Sequence, residues 1–567
     1  MQDNDTIIAM IHDIAKASDE KQVLSLLFKY SKGKERTYSK SFVLENYRRL
    51  KENGKLGLND VEEKVFLNNI KTKKVRTLSG VTPLTVLTKP YPCPGTCIFC
   101  PNDVRMPKSY LSSEPGAQRA HDNKFDPYFQ TYNRLVSYEK TGHAVSKIEL
   151  IILGGTWTAY PESYRVWFVK RCFDAMNDFV PGTGLDYLKS DKDFPYEEEK
   201  LSGFDGNYNS IVGKASRKIA ETSSWGSLEE AHSINVNALC KCTGLVIETR
   251  PDEITKEELI KIRKLGVTKV QMGVQSLDDK VLKLNKRGHS VAQTSEAFKL
   301  LRSAGFKIHI HWMPNLYGSD PDKDIKDFRK LFSNSKFRPD EIKIYPCSLI
   351  ENTELMYLYE QGLWKPYTQE ELLKVFRNIL PLVPRYCRVT RVVRDISGDD
   401  IVAGNRKTNF RQIAENDLAQ GGQRLTEIRS REIKDSKVAP GDLNYRVTDY
   451  KTSTGREHFM EFVTDEDKIA GFLRLSLPSE EAIIPELEDS AIIREIHVYG
   501  ESIAVGLDAD GKAQHSGLGK KLTEAAKNTA RLAGYKKLSV ISSIGTRGYY
   551  SKLGFAQGPL YQHLELK

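Results

Sequence analysis

Between Leu84 and Tyr345 short apolar runs alternate with helical stretches, and this alternation limits the folds open to the chain more than any other feature. The strand-like runs are Leu84–Thr88, Ile148–Leu153, Gly244–Thr249, Val267–Gln275, Phe306–Met313 and Glu341–Tyr345. Helical patterns lie between several of them. Lys256–Leu265 stops at Gly266 and Val291–Ala304 at Gly305, the position where a helix takes a glycine cap. The rhythm predicts an α/β fold with a parallel sheet, here an open or partial barrel of about six βα units. In such sheets ligands bind at the carboxyl ends of the strands.

The loop after the first strand reads Tyr91-Pro-Cys-Pro-Gly-Thr-Cys-Ile-Phe-Cys-Pro101, which places Cys93, Cys97 and Cys100 at Cys-x3-Cys-x2-Cys spacing. Three thiolates hold three irons of a four-iron cluster and leave one iron open for the amino and carboxylate groups of S-adenosylmethionine. The spacing, with an aromatic just before the last cysteine, resembles the radical S-adenosylmethionine superfamily. A structural zinc site is the alternative, with His121 as the nearest fourth ligand. Cys172, Cys347 and Cys387 stand alone and read as buried thiols; Cys240 and Cys242 have no evident metal partner.

Polar groups end several successive strands, as a shared pocket requires. Gly154-Gly155-Thr156 follows one strand and reads either as a tight turn or as a loop whose backbone approaches a ligand. In the radical superfamily this place resembles the motif that holds the methionyl amino group. Glu248 ends the next strand, Gln271–Ser276 another, and His309 and His311 share one face of a further one. Glu248 and Gln271 are candidate cofactor contacts.

The length of 567 residues predicts two or more domains, and 39% hydrophobic with 28% charged residues fits a folded, soluble chain. No apolar run approaches the ~20 residues of a membrane span, and Met1–Lys16 lacks the apolar core of a secretory signal, so a cytoplasmic location is expected. The net charge of +10 permits a polyanionic partner. The expected division is a helical, basic segment at 1–75, a barrel domain at 76–385 with a surface insertion near 181–235, a basic connector at 386–440 and a second domain at 441–567. The basic run Lys71–Arg76 fits either a tRNA contact or a solvated linker.

In the last segment Gln514-His-Ser-Gly-Leu-Gly519 opens an amphipathic helix from Leu518 to Ala533, behind a strand at Ala491–Tyr499. Gly517 and Gly519 let the backbone reach a pyrophosphate, and the helix start favours the anion. The pattern Gln-x-x-Gly-x-Gly resembles motif A of the GCN-five-related N-acetyltransferases (GNAT), with Tyr549-Tyr550 and Leu553-Gly-Phe555 matching that fold's closing helix and strand. Glu495 lies where such enzymes often carry a base, and reads equally as a residue with no such role. Tyr549 and Tyr550 either meet the thioester or pack. Arg388, Arg391 and Arg394, then Arg429 and Arg431, are candidate RNA contacts or a solvated charged linker.

Together these stretches resemble the Elongator catalytic-subunit family in its single-chain bacterial or archaeal form. Further matching stretches are Val75–Gly80, Asp126–Gln130, Lys147–Glu149, Ile247–Pro251, Arg287–His289, Arg388–Asp395, Arg429–Glu432, Arg494–Gly500 and Gly545–Tyr550. The resemblance implies modification of uridine 34 of tRNA to 5-carboxymethyluridine, with the anticodon stem-loop as partner and acetyl-CoA, S-adenosylmethionine and a 4Fe–4S cluster as cofactors. It implies that Lys147 holds acetyl-CoA near the radical centre, and that Glu495, Ile496, His497, Val498, Leu518, Gly519, Lys520 and Tyr550 line the CoA site. The insertion near 181–235 has no counterpart in the family pattern, and the cysteine loop is the short form. A homodimer and accessory subunits stay open. The competing class is a protein lysine acetyltransferase with a structural iron–sulfur domain; a binding module without catalysis is disfavoured because all three thiols and the glycine loop are intact.

Overall fold

A computed structural model describes residues 4–31, 37–72, 80–182, 186–189, 208–216, 221–433, 440–500 and 517–567. Four helices come first, Asn4–Ala15, Glu20–Ser31, Lys40–Glu52 and Asp60–Ile70. Asn59 starts the last of them with a capping box to Glu62, which satisfies two otherwise orphaned amides. Ile7, Ile11, Val43, Leu44, Tyr47 and Phe66 belong to a core that these helices share.

The barrel follows, with strands β1 (Thr82–Leu87), β2 (Lys147–Leu153), β3 (Lys241–Thr249), β4 (Lys269–Gln275), β5 (Lys307–Trp312), β6 (Glu341–Ile344), β7 (Leu349–Ile350), β8 (Arg388–Val392) and β9 (Ile401–Ala403). Seven of them form one sheet in the order β1-β2-β3-β4-β5-β6-β8, every pair parallel, while β7 and β9 make a small antiparallel ribbon. The seventh strand lies within the stretch expected to be connector. Its Arg-Val-Thr-Arg-Val sequence carries a register shift between Val389 and Arg391, so that Val389 and Val392 both enter the core while Arg391 is exposed.

Alternation also divides β2. Ile148, Leu150 and Ile152 are buried in the main core, and Lys147, Glu149 and Ile151 are half-buried on the other face. That inner face is unusual, because barrel interiors are ordinarily filled by branched apolar side chains. Here Lys269 bonds Glu149 at 2.6 Å and Glu341 at 3.1 Å, and Lys307 bonds Glu341 at 2.7 Å. Buried charges persist only when paired in this way.

The C-terminal sheet contains β10 (Asn444–Lys451), β11 (Gly455–Val463), β12 (Ile469–Pro478), β13 (Ser490–Val498), β14 (Lys537–Val540), β15 (Ala556–Gln557) and β16 (Gln562–Glu565), in the order β10-β11-β12-β13-β14-β16-β15. Only β13 and β14 run parallel, and they pair from Ser490–Ile493 alone, so β13 projects beyond its partner. Leu522, Ala526 and Ala530 of the helix Leu518–Leu532 share a core with Leu473, Ile493 and Val540 of the sheet.

The two sheets meet at the amino-terminal end of the barrel. The β12–β13 register shifts beside Arg474, skipping Arg494 between the partners Glu495 and Ile493. A bulge of this kind re-aims a side chain. Arg494 grips both oxygens of Asp340 at 2.8 and 2.6 Å and donates to Glu457 at 3.0 Å. Arg474 stands 3.5 Å from the same aspartate, and the four residues are at most 2% exposed. Arg263 donates to the Ser542 carbonyl, Ser543 to the Cys242 carbonyl and Tyr561 to the Ala304 carbonyl, so the contact is hydrogen-bonded across its breadth. Among the described residues no helix is long and apolar enough to cross a membrane.

Burial alone would raise the Asp340 carboxyl, but Arg494 and Arg474 hold it below its usual 3.8. A depressed carboxyl stabilises the fold above its unfolded value, and that contribution is lost as pH falls through the folded value. Asp340→Asn is expected to strand two buried guanidinium groups at a cost of about 3–5 kcal/mol, lowering the melting temperature by roughly 5–10 °C at pH 7. Scanning calorimetry at descending pH should find the gap between variant and wild type narrowing in acid.

Candidate active site

The cysteine loop leaves β1 and returns over the carboxyl ends of the strands. All three thiols are free; Cys97 is buried and Cys93 and Cys100 are half-buried. Cys97 and Cys100 hydrogen-bond to each other, which holds the Cys97 thiol well below its usual range; Arg287 and Arg250 add to this against the opposing effect of burial. Arg287 donates to Cys97 Sγ at 3.0 Å and to the Gly273 carbonyl at 2.6 Å. Arg250 donates to the Arg287 carbonyl at 2.6 Å and lies so close to the loop that a Cβ on Gly95 would stand 2.1 Å from it.

Gly154 and Gly155 have φ of 143° and 89°, and a Cβ on Gly154 would meet Thr88 Oγ1 at 1.8 Å. Both glycines are therefore required by the tight turn itself. Thr156, next in the turn, has its hydroxyl 3.6 Å from Cys93 Sγ. This donor set suits an iron–sulfur cluster: thiolate-forming cysteines, two cations to balance their charge, and a glycine turn alongside. Among the described residues no three His, Cys, Asp or Glu groups stand ready to hold a metal, so the thiols are close without being gathered, and no preformed zinc set includes His121.

Sequence reasoning missed Asn209, which lies in the insertion. Its side chain accepts from the Cys93 amide at 2.9 Å and donates to the Cys93 carbonyl at 2.8 Å. Its helix, Tyr208–Ser216, is pinned by Tyr208 donating to the Met106 carbonyl. Nothing local in the sequence pairs a lone asparagine with a cysteine 116 positions earlier.

Below the cysteines the lumen remains polar. Tyr110 donates to Glu248 at 2.8 Å, and burial pushes the Glu248 carboxyl up. His311 reaches Glu248 at 3.7 Å and Gln271 at 3.1 Å, while His309 bonds Thr390 at 2.9 Å. Burial holds both imidazoles well below 6.5, so they are neutral at physiological pH. Glu248 and Gln271 thus share one cluster. Tyr110 and Lys343, which complete it, carried no motif.

The second site lies where β13 outruns β14. Gly517 caps the helix Leu518–Leu532 with φ of 93°, and Leu518 is buried beneath it while Lys520 is exposed. Tyr549 covers the helix start, its hydroxyl 2.6 Å from where a Cβ on Gly519 would be. Tyr550 instead packs in the core against Phe555. Ile496, His497 and Val498 are half-buried along the projecting strand. Lys147 begins β2, and burial lowers its pKa. Gln514 lies outside the described residues, as do Val75–Ser79.

Glu495 does not stand as a free base. It bonds Lys307 of the barrel and Arg474 at 2.7 Å, and these cations hold its carboxyl low despite burial. A carboxylate so stabilised is a weak proton acceptor, and its two bonds tie β13 to the barrel and to β12. The arginines also divide. Arg431 is 1% exposed and bonds Glu461 at 2.8 Å, and Arg394 bonds Glu114 at 2.7 Å while lying over the Tyr110 ring. Both are tied into the fold by these pairs. Arg388 pairs with Glu432, Arg429 donates to the Thr390 carbonyl, and Arg391, paired with Asp395, keeps a side chain 45% exposed.

Comparison with known proteins finds three family matches. The chain matches the radical SAM superfamily over residues 226–332, the radical SAM C-terminal domain over 339–420 and the acetyltransferase (GNAT) family over 425–555. The first match begins beyond the cysteine loop. A tRNA uridine(34) acetyltransferase of Methanocaldococcus infernus is 37% identical over 521 residues, 89% of each chain. Its counterpart in Dehalococcoides mccartyi is 37% identical over 87% of this chain and 100% of its own. Elongator complex protein 3 of Homo sapiens is 34% identical over 88% of this chain and 86% of its own. The solved structure of the archaeal M. infernus Elp3 lacking residues 1–46 superposes with a TM-score of 0.67 at 33% identity, covering 86% of this chain and 99% of that one. A radical SAM half takes a 4Fe–4S cluster and S-adenosylmethionine, and a GNAT half takes acetyl-CoA. With so much of its length shared at this identity, the chain belongs to the family of tRNA uridine(34) acetyltransferases and Elongator complex protein 3.

Proposed function

We propose that the protein carboxymethylates the wobble uridine of tRNA, taking the two-carbon unit from acetyl-CoA. The observation that carries this reading is the contact between Glu495 of β13 and Lys307 at the mouth of the barrel. The strand expected to bear acetyl-CoA is thereby held against the polar inner face of the barrel sheet, whose far end carries the cysteine loop. When bound, the cluster and S-adenosylmethionine would supply a radical able to remove a hydrogen atom from the acetyl methyl, so that this carbon could replace the hydrogen at C5 of the uracil, which leaves as a proton while one electron returns to the cluster.

The chain's own groups have definable tasks. Cys93, Cys97 and Cys100 hold the cluster, with Arg287 donating to one thiolate. Gly154, Gly155, Thr156, Glu248 and Gln271 line the space next to it for S-adenosylmethionine. Gly517, Leu518, Gly519 and Lys520 receive the pyrophosphate of CoA, Tyr549 and Ile496–Val498 flank the thioester, and Lys147 stands at the mouth. Arg388, Arg391 and Arg429 present charge to the anticodon stem-loop. A lysine acetyltransferase would want an unpaired carboxylate facing an amine, and the commitment of Glu495 to two cations disfavours it.

Cys97→Ser is expected to abolish 5-carboxymethyluridine formation and the visible absorbance of the cluster, with acetyl-CoA affinity unchanged. Mass spectrometry of nucleosides after anaerobic incubation, with calorimetry alongside, decides it; product formation by the variant refutes the radical route. Gly519→Glu sets a carboxylate against the pyrophosphate and crowds Tyr549, so acetyl-CoA binding should weaken about tenfold or more, roughly 1.4 kcal/mol, by calorimetry. Arg391→Glu should weaken tRNA binding evenly across sequences and lower the salt slope by about 1 in titrations at several ionic strengths.

A further inference from the structure

Besides Lys147 at the start of β2, three lysines line the lumen, and one of them differs from the others. Lys269 lies between Glu149 and Glu341, and Lys307 between Glu341 and Glu495. Lys343 stands two residues beyond Glu341 on β6, roughly 6–7 Å further toward the cysteine end. Among the described residues no carboxylate lies within salt-bridge reach of it. Its ammonium donates one bond, to Gln271 Oε1 at 2.6 Å. An ammonium has three donors, so two remain for something else. A buried cation with no carboxylate in contact is costly: burial lowers the Lys343 pKa to about 8 against the pull of the Glu248 charge, and such a group persists where the site has a use for it.

Its surroundings say what that use is. Gln271 also meets His311, and beyond His311 come Glu248 and Tyr110. One inward step past Gln271 on β4, the Gly273 carbonyl accepts from Arg287, which touches Cys97. One step back on β6, Glu341 leads through Lys307 to Glu495 on the acetyl-CoA strand. Lys343 thus lies midway between the two chemistries. Both neighbouring imidazoles are neutral, which leaves it the chief source of positive charge at this level on β4, β5 and β6.

Resting on the function proposed above, we infer that Lys343 is a catalytic donor to a substrate carbonyl oxygen, the thioester oxygen of the acetyl unit as it takes on negative charge. In the hydrolysis that leaves the carboxymethyl group, the oxygen of a water molecule bonds to the thioester carbon and the carbonyl electron pair moves to oxygen. On collapse the C–S bond breaks, one water proton leaves with the CoA thiol, and the other is lost as the acid ionises. A preorganised donor at that oxygen is worth about 10²–10³-fold in rate. The other carbonyl that enters the lumen in this reaction is O4 of the uracil, and the test separates the two.

The full-length holoenzyme is compared as wild type, Lys343→Met and Lys343→Arg. Three quantities are read: CoA thiol release with an anticodon stem-loop, calorimetric affinity for acetyl-CoA against S-ethyl-CoA, and the rate penalty from 4-thiouridine at the target position. Lys343→Met should release thiol about 100-fold more slowly, lose any preference for the carbonyl-bearing ligand, and show the same thio penalty as wild type. Lys343→Arg should recover at least a tenth of the rate. A thio penalty that vanishes in Lys343→Met, with ligand preference kept, assigns the donor to O4 of the base. Thiol release within about threefold of wild type, with preference and penalty both unchanged, overturns the inference. If Lys343→Met fails to fold, Lys343→Ala, which removes the donor without filling the space, carries the test, since wild-type values in all three readings refute the role equally. A wild type that makes no carboxymethylated nucleoside refutes the function; an active wild type matched by its variants refutes only Lys343.

Discussion

Asp340 and Arg494 form the contact on which the arrangement of both sites depends. The aspartate immediately precedes the sixth barrel strand, and the arginine is the bulged residue of β13. With Arg474 and Glu457 they make a dry lattice of alternating charge between two sheets. Removing two carboxylates and two guanidinium groups from water is expensive, and the expense is offset only while every partner stays in register. The lattice therefore tolerates one relative position of the domains. That position sets Glu495, one residue after the bulge, against Lys307 in the barrel mouth.

The second domain covers the amino end of the barrel, while the cysteine loop lies at its carboxyl end. The inner faces of β2 through β6 carry Glu149, Glu248, Lys269, Gln271, Lys307, His309, His311, Glu341 and Lys343 where branched aliphatics would ordinarily pack. The apolar face of the same strands carries the stability, as the burial of Ile148, Leu150, Ile308, Ile310 and Ile342 shows. One sheet thus divides its two faces between folding and chemistry.

Much of this was legible in the sequence, because the signals were local. Strand rhythm, glycine stops, the cysteine spacing and the glycine-opened helix each lie within a dozen residues, and their physics is that of the peptide nearby. What escaped reading was long-range or disguised. Arg388–Val392 reads as basic connector because the register shift at Thr390 breaks the period of two that would mark a strand. Arg431 looked like an RNA contact because sequence does not reveal that Glu461 and Asp467 fold against it. Glu495 looked like a base because its residue type and strand position were right, while the Lys307 that neutralises it lies 188 residues earlier.

The double bond from Asn209 to the backbone of Cys93 bears on how the protein matures. The first cysteine leaves the ribosome 116 residues ahead of the side chain that fixes its peptide group. Until that stretch has emerged and its helix has docked on Met106, the thiol loop lacks one of its supports. The loop thus gains this support as soon as residues 208–216 have emerged, while β3 to β8 of the barrel are still to be made.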